Sequence, residues 1–488
     1  MSLSSIKAVF FYSESNREFN SGLLKRSLSV LNSFSKDSEI YSNRKQAGVK
    51  TVDGNFMQCL ENIALQSCSE ERDTIAVFRG ISPVLDASLL GEALSNHSRY
   101  LSHHTFSENI PDGIVPDLIS LEYIQAIPAD KKETIRSWKD LRAFALKNID
   151  DYDIDIFYRS PDLRQYRLDF SCEDDRSEAL ARALLAKADD PSYENLKKII
   201  FENPDALRPA PSYVEISLTD RSPVVPVFIP ELKSSHDLSP ENLDKILYEI
   251  SAHPFKNDLT VSLAGTGEPM LYENIFSVLE KILTMDTVKT LYLETYGASF
   301  SKEDAAKFSR IVNPEKLRII FRLTTLDEKR YQKLYGKDLL KLVLENVESF
   351  CSLSNGISLY AEMIKIKDVE DEIENYFNYF EARKVSVILS KFNRYIDKLE
   401  ERRVSDLTPL HRDFCWHLAR DVFITSEGKI PLCRQDLSGE RQCGSLEKEG
   451  LYAAFQNNLP SFTHSLRLEH DQIPMPCLEC DEWYTFMG

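Results

Sequence analysis

The sequence contains no run of 18 apolar residues, which argues against a membrane span and leaves the membrane out as a partner. Its first apolar stretch, Ala8 to Tyr12, is too short for the core of a signal peptide and has no small-residue cleavage site after it. Positive charge is in deficit: 59 Lys and Arg stand against 77 Asp and Glu, a net charge of −18. Such a chain repels phosphate backbones, which argues against nucleic acid as a partner; the acidity otherwise says little beyond solubility. Cysteine is sparse over the first 410 residues, where Cys59, Cys68, Cys172 and Cys351 are scattered and read as buried structural thiols. The other five of the nine cysteines crowd into the last stretch. In a large chain without an export signal, such clustering points to metal binding in the cytoplasm rather than to disulfides.

What is present is globular: 42% hydrophobic and 28% charged residues over 488 positions, enough for two to four domains at roughly 100–200 residues each. An α/β chain in three segments is expected: 1–208, 213–405 and 406–488, the first ending at the hinge Arg208-Pro-Ala-Pro-Ser212. In the middle segment strand and helix patterns alternate. Val214 to Thr219, Leu259 to Ala264, Thr290 to Thr295, Leu317 to Thr324, Ile357 to Met363 and Val385 to Leu389 read as strands. Between them, Ser239-Pro-Glu-Asn opens a helix as N-cap and first turn, and Tyr272 to Met285, Ser301 to Val312 and Leu339 to Cys351 follow as helices. Regular β–α alternation predicts a parallel sheet forming a full or partial barrel, with chemistry at the C-terminal strand ends.

Two patterns carry chemistry. Gly265-Thr-Gly-Glu-Pro269 is a glycine turn at a strand's C-terminal end, where backbone can approach a ligand and Glu268 could meet an ammonium group. In the tail, Cys415, Cys433, Cys477 and Cys480 are spaced Cys-x17-Cys-x43-Cys-x2-Cys. The closing Cys-x2-Cys is a two-thiolate chelate, and Ser426 to Cys433 reads as a hairpin turned at Gly428. An iron–sulfur cluster fits this set; zinc, which also takes four sulfurs, and no metal at all stay open. His411 and His417 lie near Cys415 in sequence and read as surface or supporting residues rather than ligands.

Val261 to Met270 resembles the GGEP motif of radical S-adenosylmethionine (SAM) enzymes, which holds the amino group of SAM. Glu294-Thr-Tyr-Gly297 resembles that family's Thr-Asn-Gly turn, and Arg322 to Asp327 with Tyr331 and Gly336 its fourth strand and following helix. The resemblance spans about 212–488 and implies a radical-SAM-like partial barrel whose cofactor residues would be Gly267, Glu268, Pro269, Thr295 and Arg322. The family's Cys-x3-Cys-x2-Cys is missing: Ser222, Pro226 and Ile229 stand where its cysteines belong, and Val225, Val227, Phe228 and Ile229 are expected to fill the space. The tail resembles the four-cysteine SPASM or twitch domain with one [4Fe–4S] cluster, which leaves Cys443 as a neighbour of the site rather than a ligand.

The first segment more faintly resembles sugar-type cytidylyltransferases, over about residues 5–190. Ala76 to Asp86, Pro111-Asp-Gly-Ile114 and Tyr166 to Asp175 carry the likeness. Ile81 and Ser171 stand where that family's metal-binding aspartates belong, facing one crevice, and the first loop, Phe11 to Arg17, has no glycine and one arginine. Nucleotide transfer is therefore not expected, although Asp169 or Asp174 could bind a cation. The whole chain resembles spirochaete-type SPASM-domain proteins that join these parts. That implies a non-catalytic or accessory role, with a small molecule or peptide in the barrel mouth, one cluster, and SAM as a doubtful cofactor. The alternatives are an active radical-SAM/SPASM enzyme modifying a peptide or sugar nucleotide, and a zinc-stabilised interaction protein.

Overall fold

Seven strands of the N-terminal part line up around a central strand that is apolar almost throughout. They are β1 (Ile6–Tyr12), β2 (Glu39–Ser42), β3 (Lys50–Thr51), β4 (Thr74–Arg79), β5 (His104–Ser107), β6 (Asp117–Ser120) and β7 (Ile154–Phe157), in the order β3-β2-β1-β4-β6-β5-β7. The pairings are parallel except that β6 runs antiparallel to both β4 and β5. β1, Ile-Lys-Ala-Val-Phe-Phe-Tyr, is buried along nearly its whole length, as a strand covered on both faces must be. The computed structural model describes residues 6–15, 18–34, 38–46, 48–188, 191–232, 235–353 and 356–485. Asn16 and Arg17 of the first loop lie outside the described residues. By its internal contacts the chain divides into Met1–Pro209 and Ala210–Gly488.

The N-terminal unit closes where its sequence suggests a crevice. Ile81 and Ser171 have no exposed surface, and Ile81 N–H donates to the Ser171 carbonyl at 2.8 Å. They meet in a sealed seam. A Cβ on Gly80 would lie 2.2 Å from the Ser171 oxygen, and one on Gly113 2.4 Å from the Phe170 carbonyl carbon. The two expected cation ligands are already occupied. Asp169 and Asp112 accept from the same Arg79 Nη1, at 2.9 and 3.0 Å, and Asp174 caps the helix Asp175–Lys187 by accepting from Ser177 N–H at 2.7 Å.

The C-terminal unit is built on a second seven-stranded sheet. Its strands are β8 (Tyr213–Ile216), β9 (Leu259–Leu263), β10 (Val288–Thr295), β11 (Leu317–Arg322), β12 (Ser358–Lys365), β13 (Ser386–Lys391) and β14 (Asp421–Ile424), ordered β13-β12-β11-β10-β9-β8-β14 with every pairing parallel. β13 and β14 are the two edges, so the sheet does not close on itself. β15 (Lys429–Pro431) and β16 (Gln442–Ser445) form a separate antiparallel pair. Helix Pro240–Ser251 shows why the alternation was readable: Ser239 Oγ accepts from Asn242 N–H at 3.2 Å, and Leu243, Ile246, Leu247 and Ile250 bury one stripe.

Three expectations shift. The helix expected from Tyr272 begins at Ile275, because Asn274 adopts φ +58° and Tyr272 turns its hydroxyl to the Leu238 carbonyl at 2.8 Å. The helix expected over Ser301 to Val312 spans only Lys302–Phe308. Residues 406–488 do not separate from 213–405: β14 lies in the same sheet and pairs Val422 with Val214. Among the described residues no helix is long and apolar enough to cross a membrane.

Candidate functional site

The glycine turn after β9 brings its expected residues together, and the chain itself uses them. Gly265 adopts φ +104°, which favours glycine, and a Cβ there would lie 2.5 Å from Ser217 Oγ. A Cβ on Gly267 would lie 2.0 Å from the Thr219 carbonyl oxygen. The closeness that glycine permits is thus filled by residues 217–221. Glu268 N–H donates to the Arg221 carbonyl at 2.8 Å. The Glu268 carboxylate accepts from Thr295 Oγ1 at 2.9 Å, Tyr296 N–H at 2.8 Å and Met270 N–H at 3.2 Å, with no exposed surface. Burial pushes its pKa up to about 7 against the pull of those donors. Pro269 starts the short turn Pro269–Leu271.

Arg322, at the end of β11, donates to the Gly265 carbonyl at 3.1 Å and pairs with Glu294 at 3.2 Å. Gly267, Glu268, Pro269, Thr295 and Arg322 therefore share the C-terminal rim of the sheet, as a buried clasp. The SAM amino group implied by the resemblance has no free carboxylate to meet at Glu268, so the turn does not fit SAM.

The loop that lacks the three cysteines is docked against the helix Glu328–Tyr335: Val225 N–H donates to the Tyr335 carbonyl at 2.9 Å and Val227 N–H to Leu334 at 3.0 Å. Val224, Pro226 and Phe228 are buried, Phe228 edge-on to Tyr335 with ring centres 5.2 Å apart. Val225, expected to fill the space, is 64% exposed, because its backbone bond to Tyr335 leaves the side chain in solvent. Ser222 is half-buried, and Ile229 lines a cavity.

That cavity holds about 1450 Å³ of space not filled by protein atoms, part of it open to solvent. Tyr292, Glu294, Arg322, Glu362, Lys391 and Arg434 are among its walls. Arg322 is the register partner of Glu362 across β11 and β12, with Nε 3.7 Å from the carboxylate, which also accepts from Ser390 Oγ at 2.6 Å. Glu215 lies nearly buried on the same face of β8, 3.3 Å from Arg434. Burial raises its pKa and Arg434 opposes the rise. The sequence reading missed Glu215, Glu294 and Glu362. Their signal was a lone acid within each of three strands.

On the far side of Tyr213, His417, Arg434, Gln435 and Glu482, which wall both spaces, lies a second cavity of about 620 Å³ of non-atom space, lined by Cys415, Cys433, Cys477 and Cys480. Three short elements deliver them. Cys415 precedes the helical turn Trp416–Arg420 and its N–H donates to Ser465 Oγ at 2.9 Å. Cys433 follows β15, and Cys477 sits in the turn Met475–Leu478, with Cys480 N–H closing back on the Cys477 carbonyl at 3.3 Å. Burial raises the pKa of all four thiols, that of Cys477 to about 11, and the other cysteines raise Cys415, Cys433 and Cys477 further.

Neutral thiols gathered this way are soft donors that a bound cation would deprotonate. Among the described residues no three His, Cys, Asp or Glu side chains are set to hold a metal ion; the four cysteines share the wall of one cavity. Cys443, on β16, is outside the cavity wall, although it adds to the rise at Cys477. His411 is exposed, whereas His417 lines both cavities with Nδ1 bonded to Asp421. Of the scattered thiols Cys59 and Cys172 are buried; Cys68 and Cys351 are only half so.

No family model matches the chain. An uncharacterized protein of Treponema pallidum (strain Nichols) is 26% identical over 354 residues, spanning 70% of this chain and 96% of the relative. Among solved structures, Streptococcus suis SuiB bound to the precursor peptide SuiA is similar over 74% of this chain and 83% of its own, at 14% identity and TM-score 0.45. Native anSMEcpe with bound AdoMet and Cp18Cys peptide is similar over 55% and 86%, at 12% identity and TM-score 0.41.

Proposed function

We propose that this chain carries one [4Fe–4S] cluster on Cys415, Cys433, Cys477 and Cys480, and binds a small polar molecule or a peptide in the adjoining cavity without generating radicals from SAM. The observation that carries this reading is the convergence of four thiols, from positions 415 to 480, on one cavity. A cluster offers each thiolate its own iron corner, whereas zinc needs four ligands about 2.3 Å from a single point. When bound, the cluster supplies one-electron transfer. The charged walls and the buried, unpaired side-chain amide oxygen of Gln435 suit a ligand rich in hydrogen-bonding groups.

The motif resemblance, the parallel sheet and the tail cysteines support a place in the radical-SAM/SPASM family, as a cytoplasmic accessory protein rather than a catalyst. The N-terminal unit is read as a cytidylyltransferase-type scaffold without transfer chemistry, since Ile81 and Ser171 stand at the metal positions and Asp169 is held by Arg79. The test is metal and sulfide analysis with electron paramagnetic resonance on anaerobically purified protein, together with an assay for 5′-deoxyadenosine. Iron and sulfide near four each per chain are expected. Zinc without sulfide would overturn the cluster, and protein-dependent 5′-deoxyadenosine would show an active SAM enzyme instead.

A further inference from the structure

The segment that follows the last cysteine, Asp481 to Thr485, ties the two cavities together. Glu482 lines both of them and Thr485 lines the larger one. At its start the segment leaves Cys480, whose sulfur accepts from Glu482 N–H at 3.3 Å and whose carbonyl accepts from Arg412 at 3.1 Å. Lys391, the last residue of β13, fastens its middle: Nζ donates to the Asp481 carbonyl and to Glu482 Oε1, both at 2.6 Å, and lies 4.9 Å from the Tyr484 ring centre. Arg403 holds the Asp481 carboxylate at 2.8 Å. Thr485 Oγ1 turns back onto the Glu482 carboxylate at 2.8 Å. The strap thus has one end on Cys480, one of the four sulfur donors, and its body on the wall of the ligand cavity.

The geometry points to a latch: metal at the four cysteines holds Asp481–Thr485 across the mouth of the larger cavity, and loss of the metal frees the strap and opens that mouth. This rests on the cluster reading above. The physical basis is that Cys477 sits on the single helical turn Met475–Leu478 and Cys480 just beyond it, its N–H closing back on the Cys477 carbonyl at 3.3 Å. Metal binding energy is therefore the folding energy of that turn, and the strap continues from it without a break.

The test uses the full chain, iron-loaded and iron-depleted, with hydrogen exchange resolved to peptides. Amides of Asp481–Thr485 are expected to exchange at least about tenfold faster after iron removal, while those of Leu259–Leu263 keep their rate. Lys391→Met, which touches no sulfur, is expected to give the same acceleration with iron content unchanged; Arg403→Met serves if that variant folds poorly. A thiol placed in the cavity wall by Ser390→Cys should react about tenfold faster with N-ethylmaleimide, quantified at that position, when the strap is released. Unchanged strap exchange after iron removal, or in iron-replete Lys391→Met, overturns the latch and leaves the cluster standing. A chain that takes up no iron overturns both, and the metal assay alone reports it.

Discussion

The glycine turn at Gly265–Pro269 and the cysteine tail are two motifs of ligand-type residues in one unit, and the structure treats them oppositely. In the turn every group suited to a ligand is consumed: Glu268 has three donors from the chain, and the space beside Gly267 is taken by the Thr219 carbonyl. In the tail the four cysteines line a cavity, and burial is what raises the pKa of each thiol. The residue types expected of a ligand site are present in both places. What separates them is whether the surrounding chain has closed over the polar atoms, a matter of packing rather than of motif.

The contrast breaks most sharply at the cysteines. Cys477→Ser should abolish iron and sulfide and loosen the tail, since the lost binding energy is on the order of 10 kcal/mol for a structural site. Cys443→Ser should do neither. Metal analysis and thermal melts of the two variants decide it, and equal iron loss in both would redraw the ligand set.

The next effect is a pH dependence confined to the turn. Glu268 ionises near pH 7 in the fold against an ordinary value of 4.5. The folded state therefore holds its proton where the unfolded state releases it, and the stability this contributes is present below pH 4.5 and lost as pH rises to 7. Denaturant melts of the native chain and of Glu268→Gln across that window should show the native chain losing up to about 3 kcal/mol relative to the variant. Parallel curves would show that the carboxylate is not buried as described. Iron content should be the same in both proteins. The smallest effect is steric: Gly267→Ala, forced toward the Thr219 oxygen, should cost about 1–3 kcal/mol with the metal site intact. A neutral result would mean that the turn is open and could admit a ligand.

The grouping of the tail cysteines was legible because a Cys-x2-Cys pair is close in the chain and a hairpin at Gly428 carries Cys433; the structure sets all four along one cavity. The β–α alternation was equally plain, since a helix such as Pro240–Ser251 announces its cap and stripe residue by residue. The fate of Glu268 was not legible. It depends on where residues 217–221 run, a contact across about 50 positions that no local pattern encodes. The exposure of Val225 was hidden for a similar reason, because a backbone bond to Tyr335 decides it. The boundary near residue 405 marked a real change of composition, but composition does not reveal that β14 belongs to the earlier sheet.

That last pairing sets a clock on synthesis. β14, at Asp421–Ile424, covers the edge of β8, at Tyr213–Ile216, and roughly 200 residues must be translated between them. At about 5–20 residues per second the ribosome needs on the order of 10–40 s to bridge that gap. Throughout it the newborn β8 presents a bare row of backbone donors and acceptors to whatever chain is nearest. The cysteine tail therefore delivers the strand that ends this exposure, and a ribosome that stalls before residue 421 leaves a sheet with its edge unguarded.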